Sequence, residues 1–476
     1  MTDLAQTLFQ ASPRLSPRAV SLRSWLLYVA VPAVWLLVFA GAFHFSGLLA
    51  WSAGLLYAGY DTILLVYVFV KTRFILKQTA SPVVYSDLSH EPDVSKPTIT
   101  LIIAARNEAE ALPRTLDALF VQVDPPEVIL VVDDGSTDES QAILTTRYGV
   151  IAQEAGAKFA VSTKHSNLRV LKLPHGGKAR ALNAALAVLD TDLFATVDAD
   201  TLLNPDAIQG MRAAFAADPK LVAAGGVLTP VCNGGLQAKF FQWFQTYEYL
   251  RAFIARIAWM RAGALLLVSG AFAGFRRDAV QKVGGFDPAC LVEDYELIHR
   301  LHRWSFDHRL GWKVGVLAQA RGTTDAPANL LSFLRQRRRW FAGFLQTQWW
   351  NRDMTANAEY GNLGGLMLPI KAIDTLQPIY GLTAFSLLVA FLVTGRPVLL
   401  PVLGVITLKI VIDLAFHLWS VHLYARWLGV ETTGARIGYA ALAALAEPFS
   451  FQLMRHSGAA WGWFAFLSGR QRWGTS

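Results

Sequence analysis

The chain has 476 residues, of which 53% are hydrophobic and 16% are charged, and its formal net charge is +8. A charged fraction this far below the roughly 25% of soluble domains argues against an ordinary water-soluble protein and predicts an integral membrane protein. Its two cysteines, Cys232 and Cys290, offer no disulfide framework and lie in no zinc-binding pattern, so the hydrophilic part is expected in a reducing, cytoplasmic setting.

Two apolar stretches near the N-terminus are long enough to cross a bilayer, Leu26 to Phe45 and Leu48 to Val70. A spanning helix needs about 20 mainly apolar residues. Basic residues lie before the first stretch and after the second: Arg14, Arg18, Arg23, Lys71, Arg73 and Lys77. Because such residues concentrate in cytoplasmic loops, the large central region is predicted to be cytoplasmic. These basic residues beside the spans account for the positive net charge. Nucleic acid is therefore not an expected partner.

A linker and an α/β region follow the second apolar stretch. Residues 78–97 are rich in Ser, Pro, Asp and Glu and predict a linker. Beyond them, the pattern predicts strands at 99–104, 128–132, 168–173 and 193–197 and helices at 109–120, 140–148 and 179–188. Short, wholly apolar strands alternating with helices indicate a Rossmann-like parallel sheet that is covered on both faces. Ligands of such sheets bind at the carboxyl ends of the strands.

Acidic clusters follow two of these strands. Asp133 and Asp134 open a DDGS sequence, which is also typical of a capped turn. Asp198 and Asp200 are two residues apart, so in an extended segment both carboxylates point the same way. Hard divalent cations such as Mg²⁺ or Mn²⁺ prefer such oxygen ligands, although a lone Asp-x-Asp is common in proteins without a metal.

Nucleotide-binding motifs of other enzyme classes are missing from the sequence. Ala104-Ala105-Arg106-Asn107-Glu108 stands where the Gly-x-Gly-x-x-Gly of a dehydrogenase would follow the first strand. Gly177-Lys178-Ala179 lacks the spacing and the Ser or Thr of a Walker loop, and the zinc signature HExxH does not occur.

Two further clusters lie beyond the predicted parallel strands. Glu293 and Asp294 open a predicted helix, where they either stabilise the positive end of its dipole or supply a base for an acceptor hydroxyl. Gln336 to Trp340 holds three consecutive arginines beside aromatic residues. This strip is compatible with a membrane-surface helix whose arginines reach toward the lipid headgroups. Alternatively, its guanidinium groups suit a diphosphate and its indole suits a sugar ring.

The C-terminal part is again apolar. Spans are predicted at 376–393 and 398–424 around Gly395-Arg396-Pro397, with a fifth span at 437–453 and a segment at 458–467 that is too short to cross. Residues 237–260 and 361–370 are compatible either with surface helices at the bilayer or with packing against the α/β domain. Four polar residues fall inside the predicted spans and either line a channel or, for Lys409 and Asp413, simply pair with each other: Asp61, Lys409, Asp413 and His417.

Together these motifs resemble those of the membrane-integrated family 2 glycosyltransferases of the GT-A type, which include cellulose, chitin, hyaluronan and poly-N-acetylglucosamine synthases. The motifs are Ala105-Arg106-Asn107-Glu108, Asp133-Asp134-Gly135-Ser136, Gly177-Lys178-Ala179-Arg180-Ala181-Leu182-Asn183, Asp198-Ala199-Asp200, Gly284-Gly285-Phe286, Glu293-Asp294 and Gln336-x-x-Arg339-Trp340. The resemblance implies a cytoplasmic α/β GT-A catalytic domain at 98–350 that includes interfacial helices. The remaining predicted parts are an N-terminal segment (1–25), two spans (26–70), a linker (71–97) and a C-terminal membrane region (351–476) with two to three spans.

The resemblance also implies roles for single residues. The resemblance implies that the nucleotide sugar is bound by Asn107, Glu108, Asp133, Asp134, Lys178 and Asp198. Of these, Asn107, Glu108 and Asp134 would hold the uridine. Asp198 and Asp200 would bind Mg²⁺ or Mn²⁺. Asp294 matches the catalytic base and Glu293 is its neighbour. The motif at the acceptor and diphosphate end of the site is matched by Gln336, Arg339 and Trp340. Val292 departs from the family pattern, since many relatives have Thr or Ser there, but both carboxylates remain.

The implied activity is inverting transfer of a sugar from a UDP-sugar to a growing polysaccharide at the cytoplasmic face of the inner (plasma) membrane. Processive synthesis with export through the enzyme's own spans is expected, with membrane lipids and an accessory export partner as further contacts. An alternative with closely similar motifs is a non-processive enzyme that glycosylates a membrane lipid such as ceramide or a diacylglycerol.

Overall fold

The computed structural model describes residues 4–77, 96–151, 158–395 and 399–469. Most of the predicted linker, and Arg396 and Pro397 between the two predicted C-terminal spans, lie outside these ranges. The described residues form one nine-stranded sheet flanked by helices, together with a group of long apolar helices.

The sheet is mixed, with the strand order β3-β4-β2-β1-β5-β8-β7-β9-β6. Its strands are β1 Ile99–Ala105, β2 Val128–Asp134, β3 Ala160–Val161, β4 Leu168–Leu173, β5 Leu193–Val197, β6 Thr201–Leu203, β7 Leu221–Val231, β8 Phe272–Arg276 and β9 Lys313–Asp325. The four predicted strands, β1, β2, β4 and β5, are parallel neighbours as expected. A wholly parallel sheet was nevertheless the wrong expectation, because β8 runs antiparallel to both β5 and β7, and β6 runs antiparallel to β9.

The helices are numbered in chain order. They are α1 Leu4–Ala11, α2 Leu22–His44, α3 Ser52–Thr72, α4 Leu112–Phe120, α5 Ser140–Thr146, α6 Lys178–Val188, α7 Ala207–Ala217, α8 Leu236–Arg261, α9 Arg277–Lys282, α10 Glu293–Asp307, α11 Leu330–Trp350, α12 Leu368–Asp374, α13 Gln377–Val393, α14 Leu399–Leu428, α15 Gly434–Ala446 and α16 Phe451–Leu467.

Two hydrophobic clusters cover the two faces of the sheet. On β1, Ile102 belongs to the cluster that contains α6 and α10, whereas Leu101 and Ile103 belong to the cluster that contains α4 and α7. Successive side chains of a strand point to opposite faces, so a strand that is covered on both sides must be apolar throughout. Each such fully buried side chain contributes about 1.5–3 kcal/mol. This packing fixes the strand ends from which the polar clusters project.

Four helical segments of the described residues are long and apolar enough to cross a membrane. They are Leu22–His44, Gly47–Lys77, Leu363–Val393 and Leu399–Leu428. Large apolar side chains on these segments, such as Leu37, Ile63 and Leu400, are exposed on the protein surface. Lipid would remove this surface from water.

The predicted fifth span, 437–453, is not a single helix. Helix α15 has 13 residues and ends at Ala446, Glu447–Phe449 forms a 3₁₀ turn, and α16 has 17 residues. The buried Glu447 accepts a 2.6 Å hydrogen bond from Arg251, and Pro448 has no N–H to continue a helix. Residues 458–467 therefore belong to α16, which packs along α11.

The two candidate surface segments both pack against protein. Helix α8 contacts β7 and β9 on one side and α3 and α14 on the other. Leu363 and Met367 of the 361–370 segment are buried in the core beside α10. The packing alternative is thus confirmed for both, while contact with the bilayer surface stays a prediction.

Candidate active site

The loops after β1 and β2 are joined by hydrogen bonds at the carboxyl edge of the sheet. Ala105 pairs with Asp133 in the parallel register, which brings Asn107 beside the DDGS turn. The Asn107 N–H donates to Ser136 Oγ at 3.0 Å, and its Oδ1 accepts from the N–H of Thr137 at 2.8 Å. Asn107 has a φ of 57°, in the left-handed region that Asn tolerates better than most residues.

Asp134 joins the DDGS turn to the loop that precedes α6. Its carboxylate accepts hydrogen bonds from the N–H groups of Gly176 at 2.8 Å and Gly177 at 2.9 Å, and it contacts Nδ1 of His175 at 2.9 Å. Gly135 has a φ of 73°, and a Cβ there would lie 2.8 Å from the backbone nitrogen of His175. The close approach of these two loops therefore requires glycine at position 135.

The carboxylate of Asp133 stabilises the DDGS turn. One carboxylate oxygen accepts from the N–H of Ser136 at 2.8 Å and the other from Nε2 of Gln141 at 2.7 Å. The side chain is buried and both oxygens are used within the turn. The capped-turn interpretation thus fits Asp133, whereas donor binding by this residue stays a prediction.

Lys178 lies between two of the acidic clusters. Its ammonium group forms an ion pair with Oδ1 of Asp198 and lies 3.9 Å from Oε1 of Glu293. Burial alone would lower the pKa of Lys178, but Asp198 and Glu293 raise that pKa above its ordinary value. The group therefore stays protonated and joins the end of β5 to the start of α10 electrostatically.

Asp198 and Asp200 lie in a turn between β5 and β6, closed by a 3.0 Å hydrogen bond from the N–H of Thr201 to the carbonyl oxygen of Asp198. The expectation of an extended segment was wrong, because the chain reverses there to pair β6 with β9. Asp200 accepts a 3.2 Å hydrogen bond from Thr324 Oγ1 on β9. Burial and the neighbouring Asp198 raise the pKa of Asp200 to about 6.

Glu108 faces the same two aspartates from the loop after β1. Burial raises the pKa of Glu108 to about 7, and the negative charges of Asp200 and Asp198 add to this effect. The carboxylates of Glu108 and Asp200, together with the negative charge of Asp198, form a locus where a cation would be stabilising. Among the described residues, no group of three or more His, Cys, Asp or Glu side chains is arranged to hold a metal by itself.

Asp294 is held by two backbone N–H groups at the start of α10. Its Oδ2 accepts from Gly270 at 2.7 Å, and its Oδ1 accepts from Tyr295 at 2.8 Å. Gly270 lies in the loop before β8, and a Cβ at this position would lie 2.9 Å from Oδ2 of Asp294. The neighbouring Glu293 has a raised pKa because it is buried, although Lys178 opposes the rise.

Helix α11 presents Gln336, Arg339 and Trp340 on one face, since they are three and four residues apart. The helix begins after Asn329, whose side chain accepts from the N–H of Ser332. Arg339 Nη1 donates to the carbonyl oxygen of Leu291 at 3.3 Å, just before α10, and its charge opposes the raised pKa of Glu293.

The other two arginines of the strip also contact protein groups. Arg337 pairs with Glu248 of α8 at 2.7 Å and lies 4.6 Å from the ring centre of Trp340. Arg338 lies 4.8 Å from the ring centre of Trp461 on α16. These contacts disagree with a surface helix whose arginines reach into lipid headgroups.

The structure thus brings seven of the predicted residues into one electrostatic cluster: Glu108, Lys178, Asp198, Asp200, Glu293, Asp294 and Arg339. The sequence analysis missed several residues that contact the predicted site residues or their neighbours: His175, Glu248, Gly270 and Thr324. Of these, His175 stands beside a motif that had been recognised. Gly270 and Thr324 are distant in sequence from the aspartates they contact.

A polar cavity of about 370 Å³ lies between α8 and the candidate spans. It is lined by three of the four predicted intramembrane polar residues, Asp61, Asp413 and His417. Lys409 pairs with Asp413, as predicted, and also with Asp61 at 2.7 Å. Asp413 also lines a second, mainly apolar cavity of about 120 Å³, which includes Lys409.

Comparison with known proteins places these features in a family. The family described as "Glycosyl transferase family 2" matches residues 100–284, and "Glycosyl transferase family group 2" matches residues 193–428. Poly-beta-1,6-N-acetyl-D-glucosamine synthase of Staphylococcus aureus is 27% identical over 261 residues, which are 54% of this chain and 57% of that protein. The enzyme of the same name from Staphylococcus epidermidis is 26% identical over 246 residues, 52% of this chain and 54% of the relative. The chain therefore matches little more than half the length of these relatives.

A solved structure shares the fold. The mannosyltransferase PcManGT from Pyrobaculum calidifontis, in complex with GDP-Man and Mn²⁺, superimposes with a TM-score of 0.54 at 21% identity. The match covers 84% of this chain and 98% of the mannosyltransferase. At this identity, the likeness supports the GT-A-like arrangement of sheet and helices.

Proposed function

Because the chain belongs to glycosyl transferase family 2, we propose that it transfers a sugar from a UDP-sugar to a hydroxyl group of a growing polysaccharide with inversion at the anomeric carbon. The observation that carries this proposal is the convergence of Asp198, Lys178, Asp294 and Arg339 from four separate elements. Asp198 lies at the sheet edge where the donor would bind, Lys178 and Arg339 supply positive charge, and Asp294 would supply the base. We propose that the reaction takes place at the cytoplasmic face of the inner membrane.

The donor site is assigned to the carboxyl edge of the sheet. Asn107, Glu108 and Asp134 would hold the uridine, since they occupy the ends of β1 and β2. Lys178 and Arg339 would contact the diphosphate, whose negative charge grows as it leaves. Both cations are held by protein carboxylate or carbonyl groups that fix their direction in advance.

The displacement is assigned to Asp294. Its carboxylate would accept the proton of the acceptor hydroxyl while that oxygen bonds to the anomeric carbon and the bond to the diphosphate oxygen breaks. An α-linked donor would thus give a β-linked product and UDP. The N–H groups of Gly270 and Tyr295 orient the carboxylate for this transfer.

A divalent cation fits the pair Asp198 and Asp200. Burial raises the pKa values of Asp200 and Glu108, and the clustered negative charge, which a cation would neutralise, raises them further. Mg²⁺ or Mn²⁺ bound there by the two aspartates would supply electrostatic stabilisation of the diphosphate. The rest of its coordination shell would come from diphosphate oxygens and water.

Processive synthesis with export is supported by the polar cavity among the candidate spans. Its hydrogen-bonding walls include Asp61, Glu248, Arg251 and Gln452, which suit a hydroxyl-rich chain better than a lipid tail. The cavity lies next to Glu248, which is bonded to Arg337 of the acceptor-side helix. A saccharide that leaves the active site would therefore meet a polar path. An accessory export partner remains part of this proposal.

A specific observation favours the glycolipid alternative as a second candidate. A cleft of about 250 Å³ with mainly apolar walls opens between α2, α3 and α13. Val31, Leu56 and Ile373 line it, and Tyr60 and Gln377 separate it from the polar cavity. This shape fits an acyl chain whose hydroxylated headgroup points toward the active site.

The test is the product made by membranes that contain the full chain. They are incubated with a panel of labelled UDP- and GDP-sugars, with Mg²⁺ or Mn²⁺, and the products are resolved by size. A ladder or high polymer supports the polysaccharide proposal, whereas one discrete glycolipid supports the second candidate. Asp294→Asn should abolish transfer and keep donor binding, while Asp278→Asn, an exposed carboxylate outside the site, should keep both. Full turnover by the Asp294→Asn variant removes Asp294 from the role of base.

A further inference from the structure

The N-terminal segment, residues 4–18, contacts both ends of the helix that carries the candidate base. Near the start of α10, Arg14 donates from Nε and Nη2 to the two oxygens of Asp287, at 3.0 and 2.9 Å. Asp287 lies in the loop that leads into α10, and its side chain is 0% exposed. Arg14 therefore neutralises a buried carboxylate only a few residues before Asp294.

The other end of α10 is held in the same way. Arg18 donates to the two oxygens of Asp307, the last residue of the helix, at 3.0 and 2.6 Å. It also donates to the hydroxyl group of Tyr360 at 3.0 Å. Two forked arginine–carboxylate pairs, four residues apart on one segment, thus bracket the whole helix. Such paired hydrogen bonds fix orientation as well as distance.

Helix α1 packs against the backbone at Gly284, just before the loop that contains Asp287. Leu8 is buried, and a Cβ at Gly284 would overlap its backbone nitrogen. Gly284 also has a φ of 83°, so only glycine fits here without strain. The Gly284-Gly285-Phe286 motif is thus the place where the N-terminal segment meets the catalytic domain.

The same loop is held from the inside of the domain. Asn183 of α6 accepts from the N–H of Phe286 at 2.8 Å and donates to its carbonyl oxygen at 2.7 Å. Arg300 of α10 donates to the carbonyl oxygen of Gly285 at 2.7 Å. With these inner contacts in place, the contacts of Leu8 and Arg14 complete the enclosure of the loop on its outer side.

The N-terminal segment continues into the first candidate span, which also reaches α11. Ser24 Oγ donates to the carbonyl oxygen of Arg352 at 2.6 Å, and the Tyr28 hydroxyl donates to that of Gln348 at 3.3 Å. Arg14 itself lies 5.6 Å from the ring centre of Trp350. One continuous stretch of chain therefore contacts both helices that build the acceptor side of the site.

We propose that Arg14 and Asp287 are positioning residues that set the location of the start of α10, and so of the Asp294 carboxylate, relative to the membrane spans. This inference rests on the proposed role of Asp294 as the base. A misplacement of about 1 Å at a reacting group costs roughly 100-fold in rate. The donor edge is built by the ends of β1, β2 and β5, whereas Arg14 contacts the loop that leads into α10. Loss of the pair should therefore lower turnover without weakening donor binding.

The kinetic test compares Arg14→Gln with Arg147→Gln in the full chain in membranes. Arg147 also pairs with a carboxylate, Asp117, but on the opposite side of the sheet from α10. Arg14→Gln should lower kcat about 10- to 100-fold and leave the KM for the donor within about twofold, whereas Arg147→Gln should change neither. Arg14→Lys, which keeps the charge and loses the fork, should give an intermediate kcat. The proposal is overturned if Arg14→Gln and Arg147→Gln have equal kcat values. It is also overturned if the donor KM of Arg14→Gln rises by the same factor by which its kcat falls.

A second measurement does not depend on activity. Hydrogen–deuterium exchange of the backbone amides of residues 287–296 should be faster in Arg14→Gln than in Arg147→Gln, because the loop loses its outer contact. Equal exchange in the two variants overturns the proposal even if turnover falls. If the unmodified chain transfers no sugar from any donor, the proposed function fails, and the exchange result still decides whether Arg14 holds the loop.

Discussion

The backbone N–H of Gly270 donates a 2.7 Å hydrogen bond to Oδ2 of Asp294. The bond joins the loop before β8 to the first turn of α10, across 24 residues of sequence. Together with the bond from the N–H of Tyr295, it holds the carboxylate in one orientation. The position of Gly270 therefore contributes to the orientation of the proposed base.

Gly270→Ala is expected to lower kcat about tenfold or more, because its Cβ would lie 2.9 Å from Oδ2 and displace the carboxylate. The KM for the donor should stay within about twofold, since the donor edge is built from other strands. Steady-state kinetics in membranes measures both constants. Gly235→Ala is the matched control, because a Cβ there meets nothing within 4 Å. Equal kcat values for the two variants would show that the Gly270 contact does not set the position of the base.

Lys178→Gln is expected to weaken the binding of UDP and to lower turnover. The substitution removes the cation between the half-buried Asp198 and the buried Glu293, so these two carboxylates then repel the diphosphate. We expect at least a tenfold rise in the Kd of UDP, measured by calorimetry on the purified chain. Lys282→Gln is the control, since Lys282 pairs with the exposed Asp278 away from the site. An unchanged Kd for Lys178→Gln would place the diphosphate elsewhere.

Much of this site follows from local sequence, and the parts that do not follow have identifiable causes. Strands β1, β2 and β5 are mainly apolar runs, whereas β4 alternates apolar residues with Arg169 and Lys172. The parallel order of these strands brings Asn107, Asp134 and Asp198 to one edge. Strand β7 contains Gly225, Gly226 and Pro230, which weaken a strand pattern, so it was not predicted.

Long-range contacts explain the remaining differences. The turn at Asp198 forms because β6 pairs with β9, more than 100 residues away. The predicted fifth span ends at Glu447 because Arg251 of α8 pairs with this carboxylate. Neither partner can be found from the residues around the motif itself.

The carboxylate cluster predicts a pH dependence of divalent-cation binding. The pKa of Asp200 is raised to about 6 and that of Glu108 to about 7, so both lose protons in the folded chain only as the pH rises through this range. Cation affinity should therefore increase from pH 5.5 to pH 7.5. We expect Mn²⁺ to raise the Tm more at pH 7.5 than at pH 5.5, and Asp200→Asn to abolish this difference.

The same raised pKa values determine whether the free energy of unfolding rises or falls with pH when no divalent cation is present. A folded-state pKa above the ordinary value of about 4 means that the folded chain binds more protons than the unfolded chain between about pH 4 and pH 7. Stability should thus fall as the pH rises through this window. The Tm, measured at several pH values in the presence of a chelator, tests this expectation. Asp278→Asn is the control for an exposed carboxylate. A Tm that rises with pH, and is unaffected by Asp200→Asn, would contradict the clustered arrangement.

The intramembrane ion pairs predict a large loss of stability from a single neutral substitution. Lys409 neutralises Asp61 and Asp413 between the two cavities, and its side chain is 14% exposed. Lys409→Met leaves two partly buried carboxylates without their cation, at a cost of about 3–5 kcal/mol. The Tm in detergent should fall by several degrees, whereas Lys77→Met, at the end of the second candidate span, should have little effect. The triple variant Asp61→Asn, Lys409→Met, Asp413→Asn should recover much of the lost stability, because no charge is then left unpaired. If the triple variant is no more stable than Lys409→Met, packing rather than charge pairing explains the loss.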